Sequence, residues 1–337
     1  MILLRKILFP LAFLYWLITF IRNWFYDKGI FKSYSFNIPI IAVGNLSVGG
    51  TGKTPQIEYL IRLLSDKYKV AVLSRGYKRT SEGFILADEN ATASSIGDEP
   101  FQFFSKFRNI QVAVDANRKN GIENLLQLPN KPDVILLDDA FQHRKVKAGF
   151  YILLTAYDDL FCDDYILPFG NLREPSSGKK RADMIIVTKC PNDLSEIAQQ
   201  KIREKLKVKQ QVFFTTIQYD DFVFGNDSQL LVSEIQSESK VLVAGIAKPK
   251  LFFDFLKNEK DDTLVFPDHH HFSKQDCEQI LAKANGRKII TTEKDFVRLN
   301  GLLPKEQLFY LPIKSAFLNK NIDKTIEDYV GQSTRNS

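Results

Sequence analysis

Ser47-Val48-Gly49-Gly50-Thr51-Gly52-Lys53-Thr54 is the stretch on which the reading of this chain turns. It closes on the Gly-Lys-Thr of a phosphate-binding loop. An apolar run at 38–43 precedes it, and helical spacing at Ile57, Leu60, Ile61 and Leu64 follows. Strand, glycine turn and helix in that order form a cradle of backbone N–H groups backed by the positive end of a helix. Gly49, Gly50, Thr51, Gly52, Lys53 and Thr54 are therefore the expected nucleotide contacts, with Lys53 at the β- and γ-phosphates and Thr54 on Mg2+. Ser47 stands where the motif usually has its first glycine, so the start of the loop is expected to be shaped differently.

Outward from the loop, apolar runs at 70–73, 110–114, 134–137, 151–154 and 184–187 alternate with helical stretches. Runs buried on both faces and separated by helices predict an α/β fold, a P-loop NTPase-like domain with a mostly parallel sheet. The run at 134–137 ends in Asp138-Asp139, an acidic strand end that orients Mg2+ directly or through water. A Lys/Glu/Gln-rich stretch at 196–211 reads as a solvated helix face, and nucleic acid is not expected as a partner. Around 212–232 alternating aromatic residues broken by Gly225, Asn226 and Asp227 predict a hairpin. A second α/β unit follows, with strands at 241–245 and 288–292 and helices near 249–256 and 274–284. The expected organisation is a membrane-associated helix at 1–26, the P-loop domain at 27–211, a β-hairpin linker at 212–235, a smaller α/β domain at 236–331 and a frayed tail at 332–337.

The 337 residues, 44% hydrophobic and 26% charged, suit two globular domains. A net charge of +6 is too mild to name a partner. Cys162, Cys190 and Cys277 are widely spaced, which indicates neither a disulfide framework nor a zinc site. One stretch is abnormal. Arg5 and Lys6 lead into Ile7–Ile21, closed by Arg22, Trp24 and Phe25. This apolar run reaches only about 22 Å, short of a hydrocarbon core of roughly 30 Å. No small-residue cleavage site follows it, which argues against a signal peptide. The favoured reading is a helix lying in the leaflet; a true span and a helix docked over the protein's own core are the alternatives.

Three classes of P-loop protein compete. A GTPase needs a carboxylate after the Thr188-Lys189 pair, and Cys190-Pro191 supplies none. A membrane-cycling switch ATPase carries a lysine before the paired glycines, where this chain has Val48. A kinase needs an acceptor site, a base and a means of excluding water, and candidates for all three are present.

The segment 43–55 resembles the signature of the tetraacyldisaccharide 4′-kinase family. So do Ser74-Arg75-Gly76-Tyr77, Gly97-Asp98-Glu99-Pro100, Asp138-Asp139-Ala140-Phe141-Gln142-His143-Arg144, and Leu167-Pro168-Phe169-Gly170-Asn171-Leu172-Arg173-Glu174. Phe266-Pro267-Asp268-His269-His270 and Thr292-Glu293-Lys294-Asp295 complete an ordered match over nearly the whole chain. The resemblance implies transfer of phosphate from ATP, with Mg2+, to the 4′-hydroxyl of a membrane-borne lipid A disaccharide precursor. It places the enzyme at the cytoplasmic face of a Gram-negative inner membrane; the sequence itself gives no ground to infer an obligate protein partner. It also implies Asp98 as base, supported by His269 across a cleft, while Asp139 stays open as an alternative. Arg75, His143, Arg144, Arg173 and Glu174 are the implied contacts to the sugar, its 1-phosphate or the ATP phosphates, with pairing at the protein surface as the alternative for each. Glu99 joins Thr54, Asp138 and Asp139 around magnesium through water. His270 and His271 are expected at the surface or in a layer supporting the site. Glu293 and Asp295 are open between substrate contact and helix capping, and Asp98 has helix capping as its bland alternative.

Overall fold

The computed structural model describes residues 8–268 and 270–335. Val/Ile/Leu runs in which every residue is buried become central strands, because a strand covered by helices on both faces has no solvent side. The order begins α1 (Phe9–Asp27), β1 (Ile40–Asn45), α2 (Lys53–Leu64), β2 (Val70–Ser74) and β3 (Ile85–Leu86). It continues α3 (Ala93–Ile96), α4 (Asp98–Lys106), β4 (Gln111–Val114), α5 (Arg118–Leu126), β5 (Val134–Asp138) and β6 (Phe150–Ala156). After a short 3-10 turn (Ser176–Arg181) come β7 (Met184–Thr188), α6 (Glu196–Leu206) and β8 (Gln211–Tyr219). The smaller unit holds β9 (Phe222–Phe224), β10 (Gln229–Leu231), α7 (Val232–Ser237), β11 (Val241–Ala244) and α8 (Lys250–Leu256). It also holds β12 (Asp262–Val265), α9 (Lys274–Ala284), β13 (Ile289–Thr292), α10 (Glu293–Leu299) and β14 (Leu308–Leu311). β15 (Ile313–Phe317) and α11 (Asp323–Arg335) come last.

Among the described residues the large sheet has nine strands in the order β15-β8-β7-β6-β1-β5-β2-β4-β3, parallel except at its two edges. β1 lies between β5 and β6, while the next strand in sequence, β2, lies beyond β5. The loops after β1 and β5 therefore leave the same carboxyl edge side by side, where open α/β sheets bind ligands. Alternate residues of β1 feed opposite cores: Ile41 and Val43 pack with α2, Ile40 and Ala42 with Ile122 and Leu125 of α5. The second sheet runs β10-β9-β14-β13-β11-β12, with a parallel centre and an antiparallel hairpin at one edge.

The expected domain boundaries need correction. The 212–235 segment is not a linker: β8 pairs with β7 in the large sheet, and the hairpin around Gly225 is part of the small one. The smaller unit does not reach 331 either. β15 pairs with β8, and Ile322, Ile326 and Val330 are fully buried beside Ile41 and Ile57. Their four-residue spacing gives one apolar stripe, which is why residues 332–335 continue α11 instead of fraying. The two crossings between units touch, since the Asp220 N–H donates to the Pro312 carbonyl at 3.1 Å.

α1 is both docked and bare. Ala12 and Thr19 are buried, and Tyr15 donates its hydroxyl to the Arg173 carbonyl at 2.9 Å. The Asn23 amide donates to Glu174 at 2.9 Å, and Arg22 donates to the Gln142 carbonyl. The opposite face leaves Phe9, Phe13, Leu14, Leu17, Ile18, Ile21 and Trp24 exposed. No helix among the described residues is long and apolar enough to cross a membrane. Arg5, Lys6 and Ile7, expected to lead the helix, lie outside the described residues.

Candidate active site

The phosphate loop is anchored from the neighbouring strand. Thr188 donates its hydroxyl to the Thr51 carbonyl at 2.8 Å, and Lys189 donates to the Gly50 carbonyl. A trans peptide points its N–H opposite its C=O, so fixing the Thr51 oxygen turns the Gly52 N–H away from β7. Gly52 sits at φ +81° as the N-cap of α2, a conformation that leaves Lys53 as the first helical residue. The Ser47 start is tied down by strand-like contacts, with Ser47 bridged to Leu172 and the Val48 N–H bonded to the Asn171 carbonyl at 2.8 Å. The Thr188-Lys189 pair thus braces the loop, a role that inspection for a guanine element does not suggest.

Lys53 Nζ lies 3.5 Å from Asn45 Oδ1 and 3.7 Å from Asp139 Oδ1. Arg173 takes both oxygens of the same carboxylate, at 3.0 and 2.8 Å. Burial alone would raise the Asp139 carboxyl, but Lys53 and Arg173 overturn that and hold it at about 2. It is therefore a poor proton acceptor. Asp139 adopts a left-handed φ of +46°, which turns the chain back beneath β1. The approach is close: a Cβ on Gly44 of β1 would lie 2.7 Å from Phe141 Cβ.

Asp138 behaves differently. Its Oδ2 accepts from the Ser74 hydroxyl at 3.1 Å, while the buried Oδ1 has no hydrogen-bond partner. Burial, then Glu99 and Asp139, pushes its carboxyl up to about 7. Arg118, buried and itself lowered to about 10 by desolvation, holds the Asp138 carbonyl at 2.9 Å. An unsatisfied buried carboxylate oxygen costs about 1–3 kcal/mol or more, a debt that a hard cation removes. The Thr54 hydroxyl donates to Glu99 Oε1 at 3.2 Å, bringing a hydroxyl and a second carboxylate to the same region. No group of three or more His, Cys, Asp or Glu side chains among the described residues is set to hold a metal alone. Mg2+ needs no such group, because it is usually held by one or two carboxylates plus waters and substrate phosphates. Asp138, Thr54 and Glu99 fit that pattern, whereas Asp139 is already occupied by two cations.

Asp98 is the first residue of α4, and Gly97 at φ +96° is its N-cap, so capping does not explain the aspartate. Helix α10 of the smaller unit reaches across. Its Arg298 donates Nε to Asp98 Oδ2 at 2.8 Å, and Lys294, one turn earlier, pairs with Glu99. Although burial pushes Glu99 up, Lys294 and Lys53 outweigh it and keep the carboxyl low. Lys294 and Arg298 were not among the expected site residues. Asp295 turns inward instead: it accepts from the Gly245 N–H at 2.8 Å and the Thr292 hydroxyl at 2.7 Å, closing the cap of α10. Glu293 shares Lys106 with the buried Glu58, each pair at 2.8 Å.

Glu58 also pairs with Arg62 at 2.9 Å, so Glu293 is left with a share of Lys106 alone, and that makes the junction pH-sensitive. Burial first and Glu58 second push Glu293 up to about 7, with Lys106 pulling it down. A raised carboxyl holds its proton more tightly in the folded state. The cost of ionising it is therefore absent below the ordinary glutamate range and complete above the folded value. Glu293→Gln is expected to be neutral near pH 4 and stabilising by up to about 3 kcal/mol near pH 8. Thermal unfolding across that range measures the gap, and a constant offset would count against it.

A cavity of about 490 Å³ opens beyond the strand ends, lined by Arg75, Asp98, Glu99, Asp139, His143 and Arg173 among others. His143 is lowered to about 4, first by burial and then by Arg118 and Arg22, and its buried Nε2 has no partner. A neutral imidazole suits a hydroxyl better than a phosphate. Two expected contacts fall elsewhere and are corrected. Glu174 is buried, bound by Asn23 at 2.9 Å, Gln142 at 2.9 Å and Arg181 at 2.7 Å. Arg144 clamps α1, donating to the Asn23 carbonyl at 2.8 Å and to Asp27 at 2.6 Å. His269 lies outside the described residues. His270 pairs with Asp276 at 3.0 Å and stacks on Phe266, and His271 is exposed.

A braced glycine loop at the switch point of a parallel sheet, opposed by Asp138 and Asp139, defines a P-loop nucleoside triphosphate-binding protein. The sequence matches the family LpxK, tetraacyldisaccharide-1-P 4'-kinase, over residues 4–330. The tetraacyldisaccharide 4'-kinase of Flavobacterium johnsoniae is 66% identical over 335 residues, 98% of each chain. That of Bacteroides thetaiotaomicron is 45% identical, over 99% of this chain and 95% of its own. A crystal structure of LpxK from Aquifex aeolicus in complex with ATP matches with a TM-score of 0.78 at 29% identity, covering 98% of this chain and 99% of that one. The chain belongs to the tetraacyldisaccharide 4'-kinase family.

Proposed function

We propose that this protein transfers the γ-phosphate of ATP to the 4′-hydroxyl of a tetraacylated glucosamine disaccharide 1-phosphate, giving the bis-phosphorylated lipid A precursor. The observation that carries this reading is that Asp98, Glu99, Asp138 and Asp139 line one cavity and are tied to the P-loop, Asp139 by Lys53 at 3.7 Å and Glu99 by Thr54 at 3.2 Å, in a chain of this family. Lys53 and Arg173 surround Asp139 where negative charge must be met. Mg2+, held by Asp138, Thr54 and Glu99, would neutralise phosphate charge. Asp98 accepts the acceptor's proton as the O–P bond forms and ADP leaves; Arg298 fixes its carboxylate. Arg75 and His143 line the cavity and hold the sugar, the neutral imidazole by a hydroxyl.

An acceptor with four acyl chains stays in a bilayer, so the enzyme must come to it. The bare face of α1 does this by lying in the cytoplasmic leaflet of the inner membrane. Its polar face grips Arg173, Gln142 and Glu174, so the same helix sets the cavity at the headgroups.

The test is transfer of labelled γ-phosphate to the disaccharide 1-phosphate in mixed micelles. Label entering the lipid at a rate that depends on both substrates is expected. Slow ATP hydrolysis with unlabelled lipid would instead indicate a membrane switch ATPase.

A further inference from the structure

A second cavity, of about 620 Å³, lies where α1 ends, and the phosphoryl-transfer reading does not use it. It stands on the other side of the loop after β5. Gln142 and His143 line the catalytic cavity, whereas Phe141 and Arg144 line this one. Its walls carry four cations, Lys32, Arg144, Lys147 and Arg181, against one carboxylate, Asp27. Arg144 and Arg181 are held in place by their own partners and by rings: Arg144 by Asp27 and over Tyr26 at 5.2 Å, Arg181 by Glu174 and over Phe141 at 4.6 Å. Lys32 and Lys147 are exposed, and among the described residues neither is ion-paired; Lys32 rests over Tyr34 at 5.1 Å. Phe31, also in the wall, is exposed; Ile30 precedes it, and exposed Trp24 connects to it through Phe25, with ring centroids 5.5 and 5.0 Å apart, so the bare face of α1 continues to the wall.

A cavity with surplus positive charge, opening at the end of an apolar strip, matches an anion that arrives with acyl chains attached. We propose that it binds the phosphodiester headgroup of an anionic phospholipid of the host bilayer, a molecule distinct from the acceptor. The two unpaired ammonium groups meet the phosphate, and Phe31, Ile30 and Trp24 meet the first part of the chains. The inference rests on α1 lying at a bilayer surface. Bound there, the lipid fixes the depth and rotation of α1, and with them the loop carrying Gln142.

Flotation of the full chain with phosphatidylcholine vesicles, with and without phosphatidylglycerol, tests this. Lys32→Ala/Lys147→Ala is compared with Lys201→Ala/Lys257→Ala, which removes two exposed lysines of other elements. Wild type and the control pair should favour the anionic vesicles equally, and Lys32→Ala/Lys147→Ala should lose about tenfold or more of that preference. Its binding to neutral vesicles, and its acceptor KM in neutral micelles, should stay at wild type. Equal losses in both pairs would reduce the site to diffuse charge. A raised acceptor KM would assign the cavity to the acceptor's own phosphate, and thermal stabilisation by inorganic phosphate alone through these lysines would assign it to a free anion. Either result overturns the proposal. If wild type floats with neither vesicle, the bilayer reading of α1 falls as well.

Discussion

Asp98→Asn is expected to lower kcat by about 10²–10⁴-fold while the KM for ATP stays near wild type. Asparagine keeps the size of the side chain and an oxygen for the Arg298 guanidinium, so α4 and the contact to α10 should survive. What it loses is the ability to take a proton. Few other groups can substitute. Asp139 is held at about 2 by Lys53 and Arg173, and His143 at about 4 is too weak a base to compensate. Steady-state kinetics at saturating ATP, with the acceptor varied, measure the effect. An unchanged kcat would remove Asp98 from the proton transfer and leave it as a ligand for Arg298.

Lys53→Met is expected to cost about 10³-fold or more in kcat/KM, through electrostatic stabilisation lost at the transferring phosphate. The loss is compounded inside the protein. Lys53 also offsets the charge of Asp139, which would be left to Arg173 and Arg118, and it helps keep Glu99 ionised. Methionine retains most of the side chain's length and bulk. A folded variant with normal thermal unfolding and negligible transfer would separate the chemical role from the structural one. Near-wild-type turnover would mean that the glycine loop binds something other than the reacting phosphate.

Contiguous motifs were the legible part of the site. The glycine loop and Asp138-Asp139 carry their chemistry within a few residues, so spacing alone reveals them. Arg144 and Glu174 were misread because an arginine or glutamate in a motif loop looks the same whether its partner is a substrate or the protein. Here the partners are Asn23, Asp27, Gln142 and Arg181. Lys294 and Arg298 were missed for a related reason, since each meets its carboxylate across some two hundred residues of chain. The α/β class and the strands β1, β2, β4, β5, β6 and β7 followed from hydrophobic runs, whereas the two-residue edge strand β3 and the domain boundary did not. Long-range pairing of β15 with β8 leaves no local sign. The stripe Ile322, Ile326 and Val330 did leave one, in a segment read as the end of the smaller unit.

The touching crossings at Asp220 and Pro312 mean that the smaller unit hangs like a door on two adjacent pins instead of a ball on a string. Two chain segments side by side resist twisting more than a single connection would. The same double attachment sets Lys294 and Arg298 opposite Glu99 and Asp98.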